Sequence, residues 1–193
     1  MECGKYHSGT LKTELILGEE DMENETLNTI YSRRSIRIFT GESVTRETLI
    51  RILRAAMAAP SAVNMQPWAF VVVTKRETLD ELCDKLPYAK MLDKAGAAIV
   101  VCGIPDKDEV FSKDYWIMDC SAASENILLA CHALGLGAVW TAVYVDKERI
   151  ATVRRILHIR ENIIPLNVIP IGVPKEKGKA LDKFKEENIH WEQ

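Results

Sequence analysis

Apolar positions along the chain change period several times, and each change marks an element. Between Thr45 and Pro60, the residues Leu49, Ile52, Leu53, Ala56 and Met57 recur at helical spacing. This predicts an amphipathic helix with Thr45 as its N-cap and Pro60 beyond its end. Leu79, Leu82, Cys83 and Leu86 predict a second helix. Ile150, Val153 and Leu157 predict a third, capped by Asp146. The β-branched runs "AFVVVT" (69–74) and "AAIVVCGI" (97–104) predict buried strands. "AVWTAVY" (138–144) predicts a third strand. "IIPLNVIPIGVP" (163–174) predicts a fourth, whose prolines favour an edge or bulged position. The stretch "DYWIMDCSAASENILLACHALGLG" (114–137) is apolar or small on almost every face. It predicts a helix buried all round and stopped by Gly135 or Gly137. Such a helix either runs through the core of one chain or is shared with a second copy at a two-fold axis. With no internal repeat and no linker, the pattern predicts one α+β domain.

Residues 1–21 have no clear period and end just before Met22. From there "MENETLNTIYSRRS" reads as a helix start, with an acidic first turn and then Leu27, Ile30 and Tyr31 at helical spacing. We expect residues 1–21 to be an N-terminal extension and 22–193 to be the domain. A native peripheral arm is the alternative.

Composition limits the function classes. The 193 residues are 47% hydrophobic and 27% charged, as in globular proteins generally. Lys+Arg 25 against Asp+Glu 28 leaves a net charge of −3, which disfavours a nucleic-acid binder. Cys3, Cys83, Cys102, Cys120 and Cys131 are odd in number and widely spaced, so free, mostly buried thiols in a reducing cytoplasm are expected. No apolar run is long enough for a membrane span, and the N-terminal residues lack a signal-peptide layout. The four histidines have no metal-ligand spacing, and His132, inside the apolar stretch, reads as a satisfied core histidine. GxxxxGK[ST], GxGxxG and GxSxG are all absent.

Four polar islands interrupt the apolar structure. "SRRSIR" crowds Arg33, Arg34 and Arg37 around Ser35. Guanidinium forks with a serine hydroxyl suit a phosphate, and the charge balance favours a small anion over a polyanion. "APSAVNMQPW" (59–68) sets Ser61, Asn64 and Gln66 beside Trp68 between a helix and a strand, and amides suit the edge of a heteroaromatic ring. "VWTAVY" places Trp140 and Thr141 in an apolar strand, and lysines follow "PIGVP". Each island alone also fits a solvated turn, a capped loop or a core tryptophan. Together they supply phosphate donors, ring-edge amides and an apolar slab, which is what a flavin mononucleotide needs.

"SRRSIR", "APSAVNMQPWAFVVV", "PYAKMLDKAGAAIVV", "DCSAASENILLACHALGLGAVWTAVY" and "IIPLNVIPIGVP" occur in an order and spacing that resemble the nitroreductase family, over roughly residues 25–190. The resemblance implies an α+β fold with a central, mostly antiparallel sheet flanked by helices. It also implies a cytoplasmic homodimer with FMN at the interface. The implied reaction is ping-pong transfer of two electrons from NADH or NADPH to nitroaromatics, quinones or related acceptors. A reductive dehalogenase, a flavin-cleaving enzyme and a non-catalytic flavin-binding module are the alternatives. Carried over by position, Arg33, Arg34, Ser35 and Arg37 match phosphate and ribityl contacts. Pro60, Ser61, Ala62 and Asn64 match the segment that reaches the flavin from the partner. Lys90 matches a basic residue near the pyrimidine edge that would tune the flavin electrostatically. Pro87 stands where some relatives carry asparagine. Trp140 and Thr141 match the strand beside the isoalloxazine, and Gly172 with Lys179 the C-terminal phosphate contact. No side chain is expected to act as a nucleophile and no metal is implied. The substrate-covering insertion is expected to shrink to residues 105–115.

Overall fold

The computed structural model describes residues 24–176 and 178–192. The expected extension 1–21, Met22 and Lys177 lie outside them. Asn24 caps α1 (Glu25–Ser32) by accepting from the amides of Thr26 and Leu27. Thr45 caps α2 (Arg46–Met57), as its spacing predicts, and Leu49, Ile52 and Ala56 form the buried stripe. β1 (Trp68–Val73) leads to α3 (Arg76–Lys85), and β2 (Ala97–Gly103) follows. The long α4 (Phe111–Ala133) ends where Gly135 takes φ +73°, so the stop is Gly135 and not Gly137. β3 (Gly137–Ala138), β4 (Thr141–Ala142), α5 (Lys147–Leu157) and β5 (Ile164–Gly172) complete the fold. Asp146 caps α5 through the amides of Glu148 and Arg149.

The strands form one antiparallel sheet in the order β1-β2-β5-β3, with β4 also on β5. Strict alternation along β2 makes three layers. Ala98, Val100 and Cys102 face a core that includes Leu79 and Leu82 of α3 with Val153 and Ile156 of α5. Ala97, Ile99 and Val101 face a core that includes Leu49 and Ile52 of α2 with Trp116, Cys120 and Ile127 of α4.

Two strand expectations are corrected, and a third, the edge or bulged position of the prolines in 163–174, resolves to the bulged one. β1 is an edge strand in which only Val73 is buried, because β2 covers one side only. β5 is central, not at an edge, and its prolines are accommodated by irregularities. The register to β2 shifts between Val101–Asn167 and Cys102–Pro165, a bulge that passes over Leu166. On the other side, Pro170 lies opposite the break between β3 and β4 at Val139 and Trp140. The expected single strand 138–144 is thus two short pieces in one register.

Asn167, at the bulge and fully buried, donates from Nδ2 to Ser124 Oγ at 2.8 Å. Ser124 in turn donates to the carbonyl of Cys120 at 2.8 Å, so the bulge is tied to α4. This helix is not buried all round in one chain: Phe111, Tyr115 and Met118 are exposed, Met118 by 58%. The expected lid stretch 105–115 is a 3₁₀ turn at Pro105–Lys107 followed by Asp108, whose carboxylate accepts from the amides of Val110 and Phe111 and starts α4. Those bonds, Phe111's first, hold the Asp108 carboxyl below the usual carboxylate range.

Gly103 sets how closely α4 approaches the sheet. A Cβ there would stand 1.9 Å from Cε3 of Trp116. Gly103→Ala is therefore expected to lose about 1–3 kcal/mol through overpacking. Urea unfolding checks it, and an unshifted midpoint would show that the ring has room to move.

Candidate functional site

The chain leaving α1 lies along the short strand β3. The amide of Ile36 donates to Ala138 O at 3.0 Å, Ser35 bridges Ala138, and further on Phe39 bridges Pro174. The contact requires glycine at 137, where a Cβ would come within 2.6 Å of Ile36 Cγ2. Docking this segment draws Arg33 and Arg34 partly below the surface. Arg33 pairs through Nε with Glu125 Oε1 of α4 at 3.3 Å. Arg34 donates from Nη1 to the carbonyl of Arg33 at 2.6 Å and from Nε to the carbonyl of Lys179. Gly178 presses on the Arg34 stem, since a Cβ would lie 3.2 Å from Cβ and Cγ of Arg34. Arg33 Nη1 and Arg34 Nη2 remain buried without a hydrogen-bond partner among the described residues. Partly buried donors on cations want an anion, and among the described residues only the half-exposed Glu125 carboxylate pairs with either guanidinium. The cradle suits one compact anion.

The structure thus joins Arg33, Arg34 and the Lys179 main chain, with Ser35 exposed beside β3. Arg37 is exposed. Gly172 ends β5 beneath Phe39, where a Cβ would meet Phe39 Cδ1 at 3.0 Å, so its smallness serves packing.

The loop after α2 forms a second unit. Pro60 breaks the chain from the helix, and Ser61 Oγ accepts from the Gln66 amide at 2.9 Å. The amide of Ala62 donates to Asp119 Oδ1 of α4 at 3.0 Å, and Gln66 Nε2 donates to Asn64 Oδ1 at 3.1 Å. Val63, Asn64 and Gln66 have φ of 42°, 59° and 52°. Asparagine tolerates this left-handed region, whereas β-branched Val63 is strained there. Val63 and Asn64 project into solvent. Along α4, the Asp119 that anchors this loop and the His132 beside the arginines are 13 positions apart (132 − 119), about 20 Å at 1.5 Å per residue. Glu125, which pairs with Arg33, is only six positions from Asp119, about 9 Å, so loop and cradle meet the helix at successive levels within one chain.

A third group lines a shallow cleft of Leu86, Pro87, Tyr88, Ala89, Thr141, Ala142 and Arg149. The Arg149 guanidinium lies 4.9 Å over the Tyr88 ring. Thr141 is buried and donates from Oγ1 to Val168 O at 2.6 Å, so its side chain serves the sheet; Trp140 is half-buried beside it. Lys90 turns its ammonium onto the end of α3, donating to the carbonyls of Cys83 at 2.7 Å and Asp84 at 3.3 Å.

Several residues here were not visible as site residues in the sequence. Glu125 and His132 stand seven apart on α4, two turns on one face, and both meet the chain leaving α1. His132 is half-buried, with Nε2 2.8 Å from Ser32 Oγ. Burial first, then Arg33 and Arg34, push its pKa below the ordinary histidine value. Burial likewise raises the thiols of Cys102 and Cys131 to about 12. Among the described residues no His/Cys/Asp/Glu group could hold a metal, and no helix is long and apolar enough to cross a membrane.

Comparison with known proteins places this geometry in context. The family model described as the nitroreductase family matches residues 30–86 and 83–173. A relative from Archaeoglobus fulgidus, provisionally named NADH dehydrogenase/NAD(P)H nitroreductase, is 46% identical over 171 residues, covering 87% of this chain and 98% of the relative. A crystal structure from Parabacteroides distasonis with the same provisional name is similar at TM-score 0.83 and 45% identity, covering 88% of this chain and 99% of that one. An FMN-dependent nitroreductase from Clostridium difficile is similar at TM-score 0.79 and 30% identity, covering 86% of this chain and 99% of that one.

Gly137→Ala should push Ile36 off β3 and loosen the arginine segment, at a cost of about 1–3 kcal/mol. Hydrogen exchange at the Ile36 amide is then expected to accelerate more than exchange within β2. Unchanged protection of that amide would show that the segment is held by other contacts.

Proposed function

The chain belongs to the nitroreductase family, and from that premise we propose that it is an FMN-containing oxidoreductase. It passes two electrons from NADH or NADPH to nitroaromatic, quinone or related acceptors. The observation that carries this reading is the pair of buried guanidinium nitrogens, Arg33 Nη1 and Arg34 Nη2, that have no partner among the described residues, close to the Gly178–Lys179 main chain that Arg34 meets. A terminal phosphate meets their need for an anion. A dinucleotide would want a glycine-rich pyrophosphate turn, and the sequence has none.

Bound FMN supplies the two-electron chemistry. Arg33 and Arg34, with Ser35, Arg37 and Lys179, hold the phosphate end. The main chain at Trp140 and Thr141 borders the ring, where Trp140 excludes water from one side. Pro60, Ser61, Ala62 and Asn64 approach from a second copy. One fact supports that arrangement: Phe111, Tyr115 and Met118 are exposed on α4. A homodimer buries that apolar face and brings one copy's loop to the other's cradle. If the two-electron donor and the acceptor use one open face in turn, the kinetics are ping-pong.

The reading is tested by FMN affinity. Arg33→Ala and Arg34→Ala are each expected to cost about 1.5–3 kcal/mol of FMN binding, roughly 10- to 150-fold, and to leave riboflavin affinity unchanged. Equal loss of both ligands would mean that the arginines support the fold and not a phosphate. Lys90 is assigned a weaker role, stabilising negative charge on the reduced ring from the turn that faces Thr141. Lys90→Met should lower the midpoint potential by roughly 30 mV, equivalent to about 1.4 kcal/mol for two electrons. Reduced stability with an unaltered potential would leave Lys90 as the cap of α3 alone.

A further inference from the structure

We propose that His132 is a positioning residue for the Arg33–Arg34 cradle and that its protonation is coupled to occupancy of the cradle by the phosphate. The inference rests on the phosphate reading above and adds a residue and a proton to it. Ser32 Oγ lies 2.6 Å from Asn28 O, four residues back, and that contact consumes the one hydroxyl hydrogen. The contact of 2.8 Å between Ser32 Oγ and His132 Nε2 then requires the hydrogen on Nε2. The imidazole therefore donates to Ser32 in the neutral form and in the charged form alike. It pins the last turn of α1, and Arg33 is the next residue.

Among the described residues, the following charged groups bear on His132. Arg33 and Arg34 face it from the segment after α1, Glu125 shares its face of α4 and pairs with Arg33, and Lys179 joins through its carbonyl on Arg34. Without an anion, charging His132 adds a third cation beside two arginines and one carboxylate. Burial, and then those arginines, accordingly favour its neutral form and lower its pKa below the ordinary histidine value. A phosphate seated on Arg33 Nη1 and Arg34 Nη2 reverses the local field and favours the imidazolium.

The signs follow from linkage. In the unliganded protein the folded state binds fewer protons at His132 than the unfolded chain, so this group's stabilisation is lost as pH falls through and below the ordinary histidine value. Phosphate occupancy raises its midpoint, so FMN takes up a proton as it binds. Riboflavin, which lacks the phosphate, does not.

The test follows the imidazole resonances of wild-type protein by NMR across pH, unliganded, with FMN and with riboflavin, with His132 assigned from the spectrum of His132→Gln. The expected result is a midpoint below the ordinary histidine value that rises by about one unit with FMN and stays put with riboflavin. One unit corresponds to about tenfold in FMN affinity across the titration. Glutamine can donate to Ser32 without titrating. FMN affinity of the His132→Gln variant should follow only the phosphate's own titration, while that of wild type carries the additional His132 dependence. FMN bound through the arginines with an unmoved His132 midpoint overturns this inference and leaves the proposed function intact. An equal shift with riboflavin also overturns it. Failure of the wild-type protein to bind FMN overturns both.

Discussion

Two guanidinium groups at adjacent positions cannot both sink below a protein surface unless oxygens meet them. That constraint organises one end of this molecule. Ile36 is clamped on β3 over Gly137, which draws Arg33 and Arg34 inward. Glu125 answers one guanidinium and the carbonyls of Arg33 and Lys179 the other, and two nitrogens still lack partners among the described residues. The C-terminal segment at Gly178, the face of α4 carrying Glu125 and His132, and the last turn of α1 are all placed by this convergence. Part of the stability that full pairing would give is forgone, which the proposed anion would restore.

Most of the frame was legible in the sequence because it depends on local rules. Thr45 and Asp146 announced α2 and α5, Gly135 ended α4, and the unbroken apolar run 97–103 is the strand buried at every residue. β-branched composition in β1 suggested a buried strand, and the prolines in β5 left edge and bulge open, because edge or centre is decided by which strands pair and not by the strand's own residues. The bulge over Leu166 and the break opposite Pro170 let a proline-bearing strand occupy the middle of the sheet.

The site was legible unevenly. The arginine motif showed itself as three cations within five positions. Glu125, Asp119 and His132 did not, since each sits in a stretch whose apolar neighbours give it the look of core. Their roles come from contacts 57 to 100 positions away in the chain, Asp119 with Ala62 and His132 with Ser32. The same helix supports the strained loop through Asp119 and the chain leaving α1 through Glu125 and His132. One rigid element thus sets the spacing of the two parts that a second copy would bring together.

The central claim is that this chain uses a bound flavin mononucleotide for turnover and does not merely carry it. Anaerobic addition of NADH or NADPH to the FMN-loaded protein tests that most directly. The account predicts loss of the oxidised-flavin absorbance and its return when a quinone or nitroaromatic is added. Flavin that stays oxidised with both nucleotides would contradict it.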